Sequence, residues 1–190
     1  MLCRRGVGLW LLLLLLPVAV LAEGESAPKR EGFSQEQVME KAGAFFGETT
    51  KGLASAIEKV FEDQGQPNAI VVGEEVSAAI VVGLRYGRGE LQLLSGETRA
   101  IFWQGPSVGF DMGGNASKVF TLIYNLDAAD TLYQRFPGVE GSVYYAAGVG
   151  VNYLRSGDTV VAPIRTGVGL RTGANVGYLQ FTKESSWNPF

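Results

Sequence analysis

Carboxylates are the first candidates for chemistry in this sequence, because it contains 19 aspartate and glutamate residues but no histidine. Paired carboxylates can act as general acid and general base. Asp127, Asp130 and Asp158 occur where helix caps or turns are expected, which gives them a structural role. Asp111 differs, because it follows an apolar segment and precedes a glycine pair. A turn aspartate that accepts backbone N–H groups explains Asp111; a catalytic acid of a glycan hydrolase is the alternative, and it lacks a recognisable carboxylate partner.

The absence of histidine excludes several kinds of active site. A Ser-His-Asp triad, a Cys-His pair and a histidine-ligated metal site each need an imidazole. The glycine-rich segments 105–109 and 109–114 lack the lysine of a phosphate-binding loop, and no helical pattern follows them as a dinucleotide motif requires. We therefore expect no enzymatic activity, no cofactor and no metal ion.

Arginines and aromatic residues on predicted strands are candidates for ligand binding. Arg165 and Arg171 share one face of a predicted strand, opposite its apolar face, and Arg85 lies on a comparable face of another strand. Such arginines are either solvated charges or a site for an anionic headgroup or sugar phosphate. Trp103 and Tyr178 are able to stack on a sugar or flank an acyl chain, although packing is the more common role. The candidate ligand-binding residues are Arg165, Arg171, Arg85, Trp103, Tyr178 and Asp111.

The N-terminal residues have the pattern of an export signal. Two arginines precede an uncharged segment, residues 6–21, and small residues allow cleavage after Ala22. A membrane anchor is the alternative, but a span needs about 20 apolar residues. This segment is shorter and has Pro17 near its end. We therefore expect a signal peptide of residues 1–22 and no membrane span after its removal.

Cleavage after Ala22 changes both the charge and the cysteine content. It removes Arg4, Arg5 and Cys3, so the formal net charge goes from −3 to −5 and no cysteine remains. An exported protein without a free thiol suits an oxidising compartment, which favours the periplasm. The negative net charge argues against nucleic acid as a partner.

A helical segment precedes the predicted strands. Residues 23–33 are polar and form a predicted flexible leader. Ser34 and Gln37 have the capping-box pattern, and apolar residues at helical spacing predict two helices within residues 34–64, separated near Gly47. The polar face carries charges of both signs, which favours packing on the rest of the protein over binding to a membrane surface.

After Asn68 the sequence alternates between apolar and polar residues and contains many glycines, which predicts eight or nine short strands. Predicted strands occupy residues 69–73, 76–86, 90–94, 98–104, 106–112, 118–125, 142–154, 159–171 and 174–182. Predicted turns lie at residues 87–89, 95–97 and 155–158. Residues 127–136 are predicted to form a short helix with Asp127 as its N-cap.

The expected fold is mainly β: a small closed antiparallel β-barrel of about eight strands, with N-terminal helices and one short inserted helix. Closure of the sheet removes its exposed edges. We expect one such domain over residues 34–190, with its helical segment at 34–64. A membrane-spanning barrel shares the alternation, but the helical segment and the short early strands do not suit a lipid-facing band.

Several segments of the chain resemble the alphaproteobacterial envelope integrity protein A family, long labelled a domain of unknown function. Together they cover the chain from residue 34 to residue 190, and in combination they are specific. The segments are residues 103–111 (WQGPSVGFD), 132–141 (LYQRFPGVEG), 163–169 (PIRTGVG), 173–179 (GANVGYL) and 187–190 (WNPF).

This resemblance implies a soluble periplasmic protein with an eight-stranded β-barrel fold. It also implies a role in cell-envelope integrity that is connected to the surface polysaccharide. It implies no established enzymatic activity, so it supplies no catalytic residue. The partner that we expect is an envelope component (a lipid, a glycolipid or a polysaccharide) or a periplasmic protein.

A second, weaker similarity, over residues 40–155, is to the SYLF lipid-binding domain. It consists of the glycine-rich stretch 105–114, a strand that ends at Asn125, and a short helix that ends at Phe136. It implies an alternative function, the binding or carrying of an anionic lipid or glycolipid by the candidate arginines. Because the net charge after cleavage is negative, such binding would depend on a local arginine site.

Overall fold

The computed structural model describes residues 31–111, 116–166 and 177–186. In this part of the chain two helices, α1 (Gln35–Phe46) and α2 (Lys51–Gln64), precede an antiparallel sheet of nine strands. No helix of the described ranges is long and apolar enough to cross a membrane. The strands are β1 (Ala69–Leu93), β2 (Thr98–Asp111), β3 (Ala116–Tyr124), β4 (Arg135–Pro137), β5 (Tyr144–Ala146), β6 (Val149–Val151), β7 (Leu154–Ser156), β8 (Thr159–Thr166) and β9 (Tyr178–Thr182).

The sheet curls into a half-barrel. Its strand order is β4-β9-β2-β1-β3-β8-β6-β5, and β7 also pairs with β8. The curl brings Gly138, which follows β4, into a bridge with Leu154 of β7. The N–H of Val139 donates to the carbonyl of Tyr153 at 2.9 Å. Strands from opposite sides of the sheet therefore meet at this point, and the prediction of a mainly β, barrel-like fold is confirmed.

The curled sheet has an apolar layer on both faces, because alternate residues of a strand point to opposite sides. The inner layer lies inside the curl, and α1 and α2 cover the outer layer. The inner layer consists of Ala69, Val71, Leu91, Ile101, Trp103, Val119, Ile123, Leu126, Ala129, Leu132, Phe136, Leu154, Val161, Leu179 and Phe181. The outer layer includes Ile70, Phe120, Leu122, Tyr124, Val160, Ala162 and Ile164 of the sheet and Val38, Ala42, Leu53, Ala56, Ile57 and Val60 of the helices.

Both helices begin with a side-chain cap. Ser34 and Gln37 form the predicted capping box: the N–H of Gln37 donates to Ser34 Oγ at 3.3 Å, and the N–H of Ser34 donates to Gln37 Oε1 at 2.8 Å. α1 ends at Gly47, whose φ of 92° lies in the left-handed region that glycine adopts without strain. Thr50 then caps α2 by accepting a hydrogen bond from the N–H of Leu53. The predicted break between the helices is confirmed.

The residue before the first cap, Phe33, belongs to the predicted leader of residues 23–33. Its side chain is buried in the outer apolar layer, and its N–H donates to the carbonyl of Pro67 at 2.8 Å. Phe33 thus attaches the start of the helical layer to the segment that leads into β1.

β1 is one continuous strand of 25 residues, so the predicted turn at residues 87–89 is wrong. Residues 69–76 pair with β3, and residues 79–92 pair with β2. Between these two parts the strand bends until Gly73 lies against Gly89 across the interior. A Cβ on Gly73 would be 2.7 Å from Gly89 Cα. These glycines allow a close backbone approach inside the curl, which explains why glycines here do not form a turn.

Trp103 of β2 occupies the space that two glycines of β1 leave open. The register places Trp103 directly opposite Gly87. A Cβ on Gly87 would be 2.0 Å from Trp103 Cε2, and a Cβ on Gly73 would be 2.7 Å from Trp103 Cη2. The tryptophan is 3% exposed. Its ring is therefore enclosed, and the bend of β1 and the position of this ring depend on each other.

The predicted helix over residues 127–136 is shorter than expected. A 3-10 helix, Ala129–Leu132, is followed directly by β4. The N-cap residue is Ala128, which makes no side-chain cap, so the predicted role of Asp127 is wrong. Phe136 faces the interior from β4 and lies opposite Leu179 of β9. This pairing favours a strand over the helix that the spacing of apolar residues predicts.

The predicted strand over residues 142–154 is divided into β5, β6 and β7. Ala147 and Gly148, with φ of 44° and 82°, turn the chain between β5 and β6. A two-residue turn preserves the alternation of apolar residues, so the sequence pattern does not reveal it. As a result, Val143 and Tyr145 are exposed, although the alternation assigns them to an apolar face.

The two strands predicted at residues 98–104 and 106–112 form one continuous strand, β2, so the predicted break between them is wrong. The remaining boundaries agree with the sequence to within a few residues or lie outside the described residues. The predicted turns at residues 95–97 and 155–158 are confirmed as the β1–β2 and β7–β8 connections. The predicted strands at 159–171 and 174–182 are described as β8 to Thr166 and as β9 from Tyr178. The predicted signal peptide, most of the leader and the segment 187–190 lie outside the described residues.

Replacement of Gly87 by alanine should destabilise the protein, because the new Cβ would overlap the enclosed ring of Trp103. Overpacking of this kind lowers the free energy of unfolding by about 1–3 kcal/mol. Urea unfolding followed by circular dichroism measures this change. Ala100→Ser, at an exposed position of β2, is the matched control. Equal stability of the two variants would contradict the contact between Gly87 and Trp103.

Candidate functional site

A group of polar side chains lies at the interior of the half-barrel, among apolar neighbours. Glu75 and Arg85 come from β1, Trp103 comes from β2, and Arg165 comes from β8. Asn152 follows β6 and contacts Arg165. We refer to these five residues as the Glu75 cluster. Four separate parts of the chain therefore contribute to one polar site.

The bend of β1 is what brings Glu75 and Arg85 together. A straight strand of ten residues would separate them by about 33 Å. In the structure, Arg85 Nη1 is 3.7 Å from Glu75 Oε1. Both side chains point to the interior, because residues 75 and 85 share the alternation of Ala69 and Val71 in the inner layer.

The carboxylate of Glu75 accepts hydrogen bonds from two neighbouring side chains. Trp103 Nε1 donates to Glu75 Oε2 at 2.9 Å. Arg165 donates through Nε to Oε1 and through Nη2 to Oε2, each at 3.1 Å. Its remaining nitrogen, Nη1, donates to Asn152 Oδ1 at 3.0 Å. This two-point contact between guanidinium and carboxylate defines the orientation of both groups.

Electrostatic stabilisation keeps Glu75 ionised in spite of its burial. Glu75 is 4% exposed and Arg165 is 13% exposed. Burial by itself raises the pKa of Glu75, but the charges of Arg165 and Arg85 and the hydrogen bonds from Arg165 and Trp103 outweigh it and lower the pKa to about 2. A carboxylate with this pKa is a poor general acid or base near neutral pH. Across the described ranges, no group of histidine, cysteine, aspartate or glutamate residues is arranged to hold a metal ion.

The guanidinium of Arg85 makes fewer polar contacts with its neighbours than that of Arg165. Its distance of 3.7 Å from Glu75 is an ion-pair distance that exceeds the length of a hydrogen bond. Its Nε is buried and has no hydrogen-bond partner among the described residues. Burial lowers the pKa of Arg85, and the charge of Arg165 lowers it further, whereas Glu75 raises it. Arg85 therefore keeps hydrogen-bonding capacity that its neighbours in the described ranges do not use.

The structure brings together Arg85, Arg165 and Trp103 from the predicted ligand-binding residues. They lie on the inner face of the curl, and the helices cover the opposite face of β8. Arg165 is therefore not a solvated charge on an outer face. β8 is buried on both faces, because one face meets the helices and the other meets the interior.

The other predicted ligand-binding residues lie apart from the Glu75 cluster or outside the described structure. Tyr178 is on the outer face of β9, where the guanidinium of Arg135 lies 4.0 Å from the centre of its ring. Asp111 ends β2 opposite Ala79, and its side chain lies outside the described part of the structure. Arg171 also lies outside the described residues. A ligand-binding role for these three residues stays a prediction.

Sequence reasoning missed Glu75 and Asn152. Glu75 carries a weak signal, because it is an acidic residue between the predicted strands 69–73 and 76–86 and shares the alternation of Arg85. A charge on a strand face that is buried needs a partner of opposite sign. Asn152 carries no such signal, since its contact with Arg165 depends on the turn at Ala147 and Gly148.

Fold and site together define a class of protein. It is a small antiparallel half-barrel, covered on one side by two N-terminal helices, whose inner layer surrounds an ionised carboxylate bound to arginine. The same fold is found in the crystal structure of a β-barrel-like, uncharacterized protein from Brucella abortus. That protein is 48% identical to this chain, with a TM-score of 0.76, and the match covers 84% of this chain and 99% of the other.

The particular family follows from the sequence of the same region. The model of the envelope integrity protein A family matches residues 31–190, and the chain belongs to this family. The resemblance seen in the sequence segments is therefore confirmed, and an envelope-related role is supported. None of the curated proteins compared with the chain matches it.

Replacement of Glu75 by glutamine should destabilise the fold by about 3–5 kcal/mol, because it leaves two buried guanidinium groups without a counter-charge. Urea unfolding followed by circular dichroism measures the loss. Glu74→Gln is the matched control, since Glu74 is the adjacent residue, is exposed and points to the other side of β1. The control should change stability by less than about 0.5 kcal/mol. Equal effects of the two variants would show that the Glu75 cluster does not stabilise the fold.

The stability of the wild-type protein should fall in acid because of Glu75. Its pKa is about 2 in the folded protein and 4.5 without the fold, so its contribution is complete above pH 4.5 and is lost as the pH falls through 2. The loss amounts to about 3 kcal/mol. Urea unfolding at a series of pH values should show this loss in the wild type and not in Glu75→Gln. Parallel pH profiles of the two proteins would contradict the assignment.

Proposed function

We propose that this protein is a non-catalytic periplasmic protein that supports the integrity of the bacterial cell envelope by binding an envelope component or a protein partner. The observation that carries this proposal is membership of the envelope integrity protein A family over residues 31–190. The N-terminal export pattern of residues 1–22 supports the periplasmic location.

The chemistry of the Glu75 cluster supports a non-catalytic role. Glu75 is 4% exposed, and both of its oxygen atoms accept hydrogen bonds from Arg165. Its low pKa leaves no proton to donate at neutral pH. Both properties favour a role of the carboxylate in stabilising the fold. Hydrolysis of an envelope glycan would instead depend on Asp111.

The packing of the inner layer favours binding of an envelope component or a protein partner over transport of a lipid inside the half-barrel. A carrier of the SYLF type would need space for an acyl chain inside the half-barrel. In the described part of the interior, Trp103, Phe136 and Phe181 pack against one another, with ring centroids of neighbouring pairs 5.9–6.3 Å apart. Each of these residues is at most 3% exposed. This packing supports contact with a partner from the surface or from the polar part of the interior.

Deletion of the gene should sensitise the source bacterium to detergents and other envelope stress, because the family role is envelope integrity. Survival on detergent-containing plates measures the effect. A plasmid that encodes residues 1–190 should restore resistance. A plasmid that encodes the chain without residues 1–22 should not, since that chain lacks the export pattern and would stay in the cytoplasm.

Two outcomes would contradict this proposal. Wild-type survival of the deletion strain would show that the protein does not support the envelope. Full restoration by the chain without residues 1–22 would show that it acts from another compartment. Mass spectrometry of both expressed chains controls for their synthesis and identifies the N-terminal residue of each.

A further inference from the structure

The two arginines of the Glu75 cluster differ in how far their donors are satisfied. Arg165 uses Nε, Nη1 and Nη2 in hydrogen bonds to Glu75 and Asn152. Arg85 approaches Glu75 with Nη1 at 3.7 Å, and its buried Nε has no hydrogen-bond partner among the described residues. A guanidinium group has five N–H donors. Arg165 therefore has a structural role, whereas Arg85 has donors available.

The charges of the Glu75 cluster do not balance. Two guanidinium groups lie around one carboxylate, and the hydrogen bonds of that carboxylate come from Arg165 and Trp103. A buried cation without a paired anion is unfavourable, and a bound anion removes this cost. Among the described side chains, the two guanidinium groups therefore share one carboxylate.

Arg85 is also the more accessible of the two arginines. Its side chain is 23% exposed, compared with 13% for Arg165 and 4% for Glu75. Part of the Arg85 side chain is therefore in contact with solution, whereas Glu75 and Arg165 are covered more completely. The attraction of Glu75 at 3.7 Å restrains the guanidinium, so that less conformational freedom is lost on binding.

We propose that Arg85 binds one oxyanion, the phosphate or carboxylate group of an envelope component. This inference names the ligand class of the binding role proposed above and rests on that role. Arg85 makes the contact, and Arg165 and Trp103 are positioning residues that hold Glu75. Phosphate groups occur both in lipid headgroups and free in solution, and the Arg85 site takes either through the same two-point contact.

The test uses the wild-type protein, Arg85→Gln and Arg88→Gln, each expressed from the full chain and purified. Arg88 is the matched control, because it lies three residues away on β1, is exposed and points to the other face. The probes are inorganic phosphate, acetate, and phosphatidylcholine vesicles with and without phosphatidylglycerol. The readouts are the shift of the melting temperature with each soluble probe, the affinity by calorimetry, and co-sedimentation with the vesicles.

Phosphate or acetate should raise the melting temperature of the wild type and of Arg88→Gln, since a ligand that binds the folded state stabilises it. Arg85→Gln should lose about ten- to a hundredfold in affinity, the effect of removing charge-assisted hydrogen bonds. It should fold, because it removes a cation without a hydrogen-bonded counter-ion. Arg85→Lys, which keeps the charge without the two-point geometry, should bind with intermediate affinity.

Equal affinity of Arg85→Gln and the wild type would overturn the assignment. So would the absence of any response of the wild type to phosphate, acetate and anionic vesicles. Loss of phosphatidylglycerol-dependent co-sedimentation in Arg85→Gln, without a response to free phosphate, would support the site and identify a lipid headgroup as the source. A response to free phosphate without vesicle binding would support the site with a soluble ligand.

A complementation experiment separates this inference from the proposed function. If the deletion strain is sensitive to detergent and Arg85→Gln restores full resistance, the envelope role stands and the role of Arg85 in it is wrong. If the deletion strain is not sensitive, the proposed function is wrong, and the binding measurements alone decide whether Arg85 binds an oxyanion. The two failures are therefore distinguishable.

Discussion

The burial of one ionised carboxylate constrains the arrangement of most strands of the half-barrel. Glu75 is stable inside only because Arg165 and Trp103 donate to it, and these residues belong to strands that are distant in the sequence. β8 must therefore lie beside β3, and β2 must lie beside β1. A shift of β1 by one residue would turn Glu75 toward the apolar helical layer. Apolar residues line both faces of the sheet, so apolar contacts alone discriminate weakly against a shifted register of β1. The ion pair discriminates more strongly, because a shift would separate Glu75 from Arg165.

The same site requires unusual backbone geometry. Trp103 can approach Glu75 only where Gly73 and Gly87 have no side chains, and the bend of β1 brings Arg85 back toward residue 75. The glycines, the indole and the carboxylate therefore form one interdependent unit. Arg85, beside this unit, is the most exposed charged side chain of the Glu75 cluster, and its Nε has no hydrogen-bond partner among the described residues.

Much of the fold could be predicted from local patterns. The capping box of Ser34, the break at Gly47 and the hairpin at residues 95–97 each have short-range causes, and the structure contains all three. The errors concern features that tertiary packing decides. Glycines at residues 87–89 have the composition of a turn, but packing around Trp103 makes them part of a strand. The turn at Ala147 and Gly148 preserves the alternation of apolar residues, so the sequence pattern does not reveal it.

The site could be predicted only in part, for the same reason. Arg85, Arg165 and Trp103 were recognisable as residue types with binding chemistry, and the structure brings them together. Their environment was not recognisable, because strand alternation distinguishes two faces without showing that both are buried. Once the helices cover the outer face of β8, its other face must be interior, and a partner such as Glu75 becomes necessary.

The position of β9 has a consequence for the order in which the chain can fold. This strand comes last in the described sequence but lies between β4 and β2 in the sheet. Phe181 stands opposite Trp103, with ring centroids 6.3 Å apart. Until residues 178–182 leave the ribosome, β2 has an unpaired edge and the aromatic interior is incomplete. The aromatic interior of the half-barrel therefore closes only after residues 178–182 have been synthesised, although the strands on either side of β9 are complete earlier.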